Sequence, residues 1–388
     1  MKSIRIAYDA KRAVQNMTGL GNYSRLIIES IGREYPSDRL TLFAPRHRDN
    51  PRMAGILALP NVELRFPQKG EAPLGTAFWR TFGLPRLLAR GDYEIYHGLS
   101  NELPLNISRA GIPSVVTMHD VIYRRMPQCY SPIDRKIYDL KYGRSCRQAT
   151  RIIAISECTK RDVMEYYGVP EEKIDIVYQG VDEIFKRPFT PAEIEQAIRK
   201  HGLQKPYILQ VGSIEERKNA MLSVRALTAL PADIELVLVG RPTPYLDKVL
   251  KKAERLGVRS RVRLLHGVPF PDLPLLYRGA AAAAYPSRYE GFGLPVLEAL
   301  TCGTPCVAAT GSCLEEAGGP GALYVDPDDT PAMAQALNKL LTDSDLRETL
   351  RAEGLRHADR FRGADVAANT RTVYLKAIED FRAKSSAQ

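Results

Sequence analysis

Glu290 and Glu298 are separated by the seven residues GFGLPVL. A pair of carboxylates invites an acid and base reading, as in a glycosidase, but such a pair must close on one bond from opposite sides at about 5 to 10 Å. The residues between the glutamates argue for different chemistry. Gly291 and Gly293 allow close backbone approach. Pro295 suits the first turn of a helix, where its missing N–H leaves nothing unbonded. A helix starting at about Leu294 or Pro295 would turn its free N–H groups, near Phe292, Gly293 and Leu294, toward an anion, and the helix dipole would add to the attraction. If a phosphate sits there, the carboxylates are left to accept hydrogen bonds from hydroxyls on either side of it. A nucleotide-sugar has hydroxyls on both sides of its diphosphate, so Glu298 would take the ribose and Glu290 the transferred sugar. The spacing alone also fits a solvated turn at Glu290 and a Glu298 that merely complements the dipole.

Three more positions carry chemistry. VGSIEERKN (211–219) follows a strand-like run, and its Arg217 and Lys218 can neutralise a departing diphosphate, with Gly212 and Ser213 forming the turn. The same four residues ERKN also fit a surface turn with local charge pairing. SVVTMHD (114–120) places His119 and Asp120 just past an apolar run, where a histidine is either structural or able to bond a sugar hydroxyl. NMTGLGNYSR (16–25) holds Gly19 and Gly21 but has Ser24 where a dinucleotide fingerprint needs its third glycine. It is expected as a flexible loop offering N–H donors, or else as a plain capping loop.

These positions all lie just after short apolar, β-branched runs, each followed by a helix-compatible stretch, which is the pattern of parallel sheets covered by helices. The runs are 4–9, 40–45, 62–66, 93–98, 114–120, 151–156 and 174–179 in the first half, and 207–213, 234–240, 262–267, 281–287, 305–310 and 322–326 in the second. The fold expected is α/β, with two doubly wound Rossmann-like domains. At 388 residues the chain also exceeds one ordinary core. Residues 1–185 form the first expected domain, 186–206 a proline-marked linker, 207–363 the second domain and 364–388 a helix returning to the first. Ligands bind beyond the carboxyl ends of such strands, so two facing sheets would share an interdomain cleft.

The apolar fraction of 44%, the charged fraction of 26% and the lack of any apolar run near the roughly 20 residues that span a bilayer fit a globular protein without a membrane span. MKSIRIAYDA lacks the features of a secretory leader, so the cytoplasm is the expected compartment. Six cysteines without C-x2-C spacing support neither a disulfide framework nor a zinc site. No metal and no cofactor are expected, and the acidic run DPDDTPAMAQAL (326–337) reads as helix capping. The net charge of +10 fits an anionic partner. Residues 123–151, from Tyr123 to Arg151, carry eight Arg or Lys against two Asp, with tyrosines at 123, 130, 138 and 142. That mixture suits single-stranded nucleic acid or an anionic lipid surface. Peripheral docking at the inner face of a membrane is the favoured reading, and no nucleic acid is expected.

In order and across nearly the whole chain, TGLGNYSR, TMHD, AISECTKRDVMEYYGVPEEKIDIVYQGVD, VGSIEERKN and SRYEGFGLPVLEALTCGTPCVA resemble the family 4 retaining glycosyltransferases of GT-B fold. The likeness is strongest to bacterial mannosyltransferase-type enzymes of polysaccharide and lipid-linked glycan synthesis. It implies that the second domain binds the donor through Glu298, the backbone of residues 291–294, and Lys218 with Arg217, while Glu290 meets the donor sugar. It maps the family's strand-end histidine onto His119 and its mobile glycine loop onto Gly19 and Gly21. It implies GDP-mannose as donor, with UDP-hexoses as the alternative, and a glycan or lipid-linked acceptor in the first domain. Relatives commonly carry arginine at the position of Ser213, which leaves the second positive charge to Arg217. The chain also departs from the family at Gln179, in QGVD, and at SCLEE (312–316). From another class, a protein that binds nucleic acid or membrane without catalysis is the remaining reading.

Overall fold

The computed structural model describes residues 3–203 and 206–386. All the expected strands form. The first sheet holds β1 (Arg5–Asp9), β2 (Arg39–Phe43), β3 (Val62–Arg65), β4 (Ile95–Gly98), β5 (Ser114–Met118), β6 (Arg151–Ala154) and β7 (Ile174–Ile176). The second holds β8 (Tyr207–Val211), β9 (Glu235–Val239), β10 (Val262–Leu265), β11 (Ala282–Tyr285), β12 (Cys306–Ala309) and β13 (Ala322–Val325). Most central strands are buried along their whole length, which is why they read as continuous apolar runs rather than alternating ones. The ladders stop short of the runs' carboxyl ends, so His119, Gly212 and Ser287 lie beyond the paired residues.

The strand order is β3-β2-β1-β4-β5-β6-β7 in one sheet and β10-β9-β8-β11-β12-β13 in the other, and every pairing is parallel. Each order reverses once, between β1 and β4 and between β8 and β11. At such a switch point the loops after adjacent strands run to opposite faces and leave a crevice between them. In the second sheet those two loops are VGSIEERKN and PSRYEGFG, so topology brings together segments about 70 residues apart in the chain.

The chain forms two compact units, one of residues up to Gly180 together with those from Arg362 onward, the other Val181–Phe361. Residues 186–206, expected as a linker, are therefore a part of the second unit, and Gln204 and Lys205 lie outside the described residues. The prolines and charges read as a connector are a helix start. Thr190 and Glu193 form a reciprocal capping box around Pro191, and the helix Pro191–Lys200 follows. Its Ile198 reaches the backbone of Gly279 and leaves no room there for a side chain. Asp329 likewise caps the helix Thr330–Thr342, its carboxylate accepting from the Ala332 N–H at 2.8 Å.

The last helix, Gly363–Ser386, belongs to the first unit, where it packs on the helix Gly19–Glu34 and lies against β4, β5 and β6. Ala387 and Gln388 of the expected helix lie outside the described residues. Val366, Val373 and Ile378 are buried along it. Two polar anchors accompany them. Arg371 donates to both oxygens of the buried Asp38, at 2.9 and 3.3 Å, and Tyr374 joins His97 (2.7 Å) and Tyr8 (3.1 Å). His97 in turn reaches Thr117 at 2.8 Å, so the helix is tied through side chains to β1, β4 and β5.

Candidate active site

In the second unit the run that forms β8 ends in a turn that demands glycine. Gly212 adopts φ 143°, and a Cβ there would stand 3.0 Å from Lys218 Cδ and Nζ. Glycine at this position leaves the lysine room to fold back over the strand end. A short 3-10 turn, Glu216–Lys218, and a left-handed Asn219 then hold Arg217 and Lys218 in place. Gln210 fixes the turn by donating to the Lys218 carbonyl at 2.9 Å.

Across the switch point, β11 ends on Tyr285. Gly293, at φ 114°, caps the helix Leu294–Thr301, and a Cβ on it would lie 2.7 Å from Leu314. Pro295 sits in the first turn, and no side chain caps this helix end. The N–H groups of Gly293 and Leu294 take no partner among the described residues, which leaves donors pointing out of the helix start.

Five side chains converge beside that helix end. Glu290 Oε1 accepts from the hydroxyls of Tyr285 and Ser287, both at 2.8 Å, and pairs with Arg217 at 2.7 Å and Lys218 at 3.4 Å. Lys218 donates to the Tyr285 hydroxyl at 2.7 Å and lies 5.1 Å from the centre of its ring. Arg217 also holds the Tyr289 carbonyl at 2.6 Å. Burial alone would push the Glu290 carboxyl up, but Lys218, Arg217 and the two hydroxyls overcome it and hold the group down to about 2. Glu290 is thus an anion at any working pH, and Arg217 also faces Glu215 at 3.7 Å, so two cations stand between two carboxylates with their N–H donors held in place. Such a group can meet the negative charge that develops on a leaving diphosphate.

Glu298 has the opposite balance. It lies on the inner side of the Leu294–Thr301 helix, where burial pushes its carboxyl up to about 7 against the opposing pull of a 3.1 Å hydrogen bond from Tyr277 and the charge of Lys218. The two glutamates that look alike in sequence therefore differ by several units in acidity, because one has cations at contact distance and the other has a phenol.

A family model described as glycosyl transferases group 1 matches residues 192–357, and one described as glycosyltransferase family 4 matches residues 28–184. The D-inositol 3-phosphate glycosyltransferase of Salinispora arenicola is 32% identical over 326 residues, covering 77% of this chain and 72% of its own. The chain belongs to glycosyltransferase family 4. The O-antigen chain mannosyltransferase B of Escherichia coli is 29% identical over 378 residues, covering 92% and 96% of the two chains. Among solved structures, Anabaena Alr3699/HepE in complex with UDP and glucose superposes with a TM-score of 0.75 at 19% identity, over 96% of this chain and all of that one, which shows the shared GT-B fold.

Within this glycosyltransferase the first unit holds the remaining expected residues. His119 is buried, and its Nε2 donates to the Leu99 carbonyl at 2.9 Å, because a carbonyl can only accept. Its backbone N–H is taken by Asn101, which holds a left-handed φ of 59°. Burial lowers the imidazole to about 4, so the ring is neutral and its Nδ1 is an acceptor. His119 can take a hydrogen bond from a hydroxyl at Nδ1, but its proton is already committed. Asp120 Oδ1 accepts from the Ile122 N–H at 3.2 Å and shapes the turn beyond it.

Gly19 and Gly21, expected in a flexible loop or else a plain capping loop, open the helix Gly19–Glu34. A Cβ on Gly21 would lie 1.9 Å from the Asn16 carbonyl oxygen, so this glycine serves close packing of the helix start against the preceding turn. The glycine spacing that reads as a mobile loop is equally the spacing of a helix that begins under a tight turn.

Tyr285 and Tyr277 escaped sequence reasoning. The one signal was a tyrosine ending an otherwise alanine strand, AAAAY, where a large side chain at a carboxyl end points at the site. Tyr285 bridges Lys218 and Glu290 without being charged itself. Tyr285→Phe is expected to lower kcat roughly tenfold or more, the worth of one hydrogen bond to a charged group, with a smaller change in donor KM. Steady-state kinetics with varied donor check this, and an unchanged kcat would show that the bridge is dispensable.

Proposed function

We propose that the protein is a retaining hexosyltransferase that moves mannose from GDP-mannose to a hydroxyl of a glycan or lipid-linked acceptor, in the cytoplasm, during polysaccharide synthesis. The observation that carries the reading is the Arg217, Lys218 and Glu290 cluster beside an uncapped helix start at the switch point of the second sheet. The helix N–H groups and the two cations would receive the diphosphate, Glu298 the ribose and Glu290 the hexose. Mannose is favoured by the likeness to the Escherichia coli mannosyltransferase over nearly the whole of both chains. The alternative donor is a UDP-hexose.

In the reaction the bond from the anomeric carbon to the diphosphate oxygen breaks as the acceptor oxygen bonds to the same face of that carbon. The acceptor proton passes to the departing phosphate oxygen, so no protein nucleophile is required. Arg217 and Lys218 supply the positive charge that the leaving group needs. Transfer is therefore expected to survive EDTA, and complete loss on chelation would overturn a charge role resting on these two residues. A screen of donor hydrolysis across GDP-mannose and the UDP-hexoses tests the donor directly. Release of GDP above all others supports mannose transfer, and preferential release of UDP replaces it with the alternative.

The raised carboxyl of Glu298 gives a pH dependence. Below pH 7 it is protonated and loses part of its capacity to accept from a ribose diol, and above pH 7 it is ionised. Affinity for a nucleotide-sugar, whose diphosphate does not titrate in this range, is expected to rise roughly tenfold from pH 6 to pH 8. Titration calorimetry should also register proton release at pH 6.5. A Glu298→Gln variant that keeps the same pH slope would remove Glu298 from the ribose.

A further inference from the structure

The basic segment 123–151 is divided by the fold into two parts. Arg124 pairs with Asp139, Arg125 with Asp162 and Glu165, Arg151 with Asp175 and Asp380, and Lys141 with Glu102. Its four tyrosines pack on one another, with Tyr123 buried and ring centres 5.5 to 6.4 Å apart. The aromatic faces that nucleic-acid bases would stack on are thus occupied.

What remains outward on the helix Pro132–Gln148 is of another kind. Ile133, Ile137 and Leu140 are 71%, 43% and 63% exposed and recur at the spacing of one helix face. At about 100° per residue, Lys136, Arg144 and Arg147 fall on the same side of the helix as this row. None of these three cations has an ion-pair partner among the described residues. The helix's two acids, Asp134 and Asp139, are engaged by the Ser131 hydroxyl and by Arg124.

A second apolar group adjoins the row. Phe78 and Phe82 are 43% and 39% exposed, with ring centres 4.8 Å apart. The chain at 102–105 links them to the helix. Leu105 donates its N–H to the Thr81 carbonyl and accepts from Arg144 (2.8 Å) and Gln148 (3.1 Å), while Glu102 takes Arg80 on one side and Lys141 on the other. Two elements of the first unit, linked through residues 102–105, therefore each present large exposed apolar side chains, and the helix row has cations beside it.

We propose that this face docks the first unit on an anionic lipid bilayer. Ile133, Ile137, Leu140 and the phenylalanine pair enter the boundary between headgroups and acyl chains, while Lys136, Arg144 and Arg147 meet phosphate headgroups. Charge decides between occupants, since an apolar protein partner would not call for unpaired cations around the row. The surface deepens the reading of a lipid-linked acceptor, because docking would bring such an acceptor to the enzyme.

The test is flotation of the full chain with vesicles of phosphatidylcholine containing 30% phosphatidylglycerol, and with pure phosphatidylcholine, at low and high salt. Binding to the anionic vesicles that weakens with salt is expected. Ile137→Glu with Leu140→Glu, and separately Lys136→Glu with Arg147→Glu, are each expected to reduce it at least tenfold while donor hydrolysis in solution stays as in the parent. The proposal is overturned if the parent fails to float with anionic vesicles at low salt, if either double variant floats like the parent, or if a single-stranded oligonucleotide displaces the vesicles. Donor hydrolysis without vesicles reports the catalytic reading separately, so either can fail alone.

Discussion

Lys218→Ala is expected to lower turnover roughly 100- to 1,000-fold, the loss typical when one preorganised donor to a developing anion is removed. The lysine is held in advance of substrate by the Tyr285 hydroxyl, the ring beneath it and Glu290, and Gly212 leaves it the space to lie there. Such positioning means that little reorganisation is left for the moment of bond breaking. The effect should fall on kcat more than on donor KM, since the charge it meets grows as the bond breaks. Glu290→Ala is expected to be similarly slow, because Arg217 and Lys218 lose the acceptor they share and the hexose loses its partner. Steady-state rates with labelled donor decide the matter, and near-normal turnover in both variants would sink the site assignment.

The second large effect is on stability. Arg371→Met removes the partner of Asp38, whose carboxylate is fully buried and otherwise accepts from the Ile4 N–H. Leaving that charge unpaired is expected to cost about 3 to 5 kcal/mol. For a unit of this size the midpoint of thermal unfolding should fall by roughly 10 °C. Calorimetry checks it, and the double change with Asp38→Asn should recover most of the loss. A single variant that melts with the parent would show that the pair carries no such weight. The penalty is expected to centre on the first unit, since Asp38, Tyr374 and His97 all anchor the last helix there.

Much of this fold was legible in the sequence because central parallel strands buried on both faces must be apolar throughout, and thirteen strand-like runs separated by helix-length stretches leave few arrangements. The glycine turn was legible for a similar reason. Gly291, Gly293 and Pro295 constrain the backbone by their own covalent geometry, so their meaning survives without neighbours. Residues 186–206 misled because proline and charge mark a helix start as readily as a linker, and the Thr190 to Glu193 capping box distinguishes them only when the side chains are seen to meet. For Gly19 and Gly21 the sequence left a flexible loop and a capping loop both open, since their role depends on how close the Asn16 carbonyl lies.

The charges were the least legible part. Arg217 and Lys218 stand some 70 residues before Glu290, and only the reversal of strand order between β8 and β11 brings them into contact. That contact makes Glu290 a strong acid, and the lack of any such neighbour beside Glu298 leaves burial free to make it a weak one. His119, which the sequence leaves as either structural or able to bond a sugar hydroxyl, commits its Nε2 proton to the Leu99 carbonyl and keeps Nδ1 as an acceptor. The two sheets, the glycine turns and the candidate residues can be read along the chain, because backbone preference and apolar pattern are local properties. Which carboxylate is ionised, which cations are engaged and which apolar side chains stay outward emerge on folding, because those properties belong to pairs of residues that the chain must bring together.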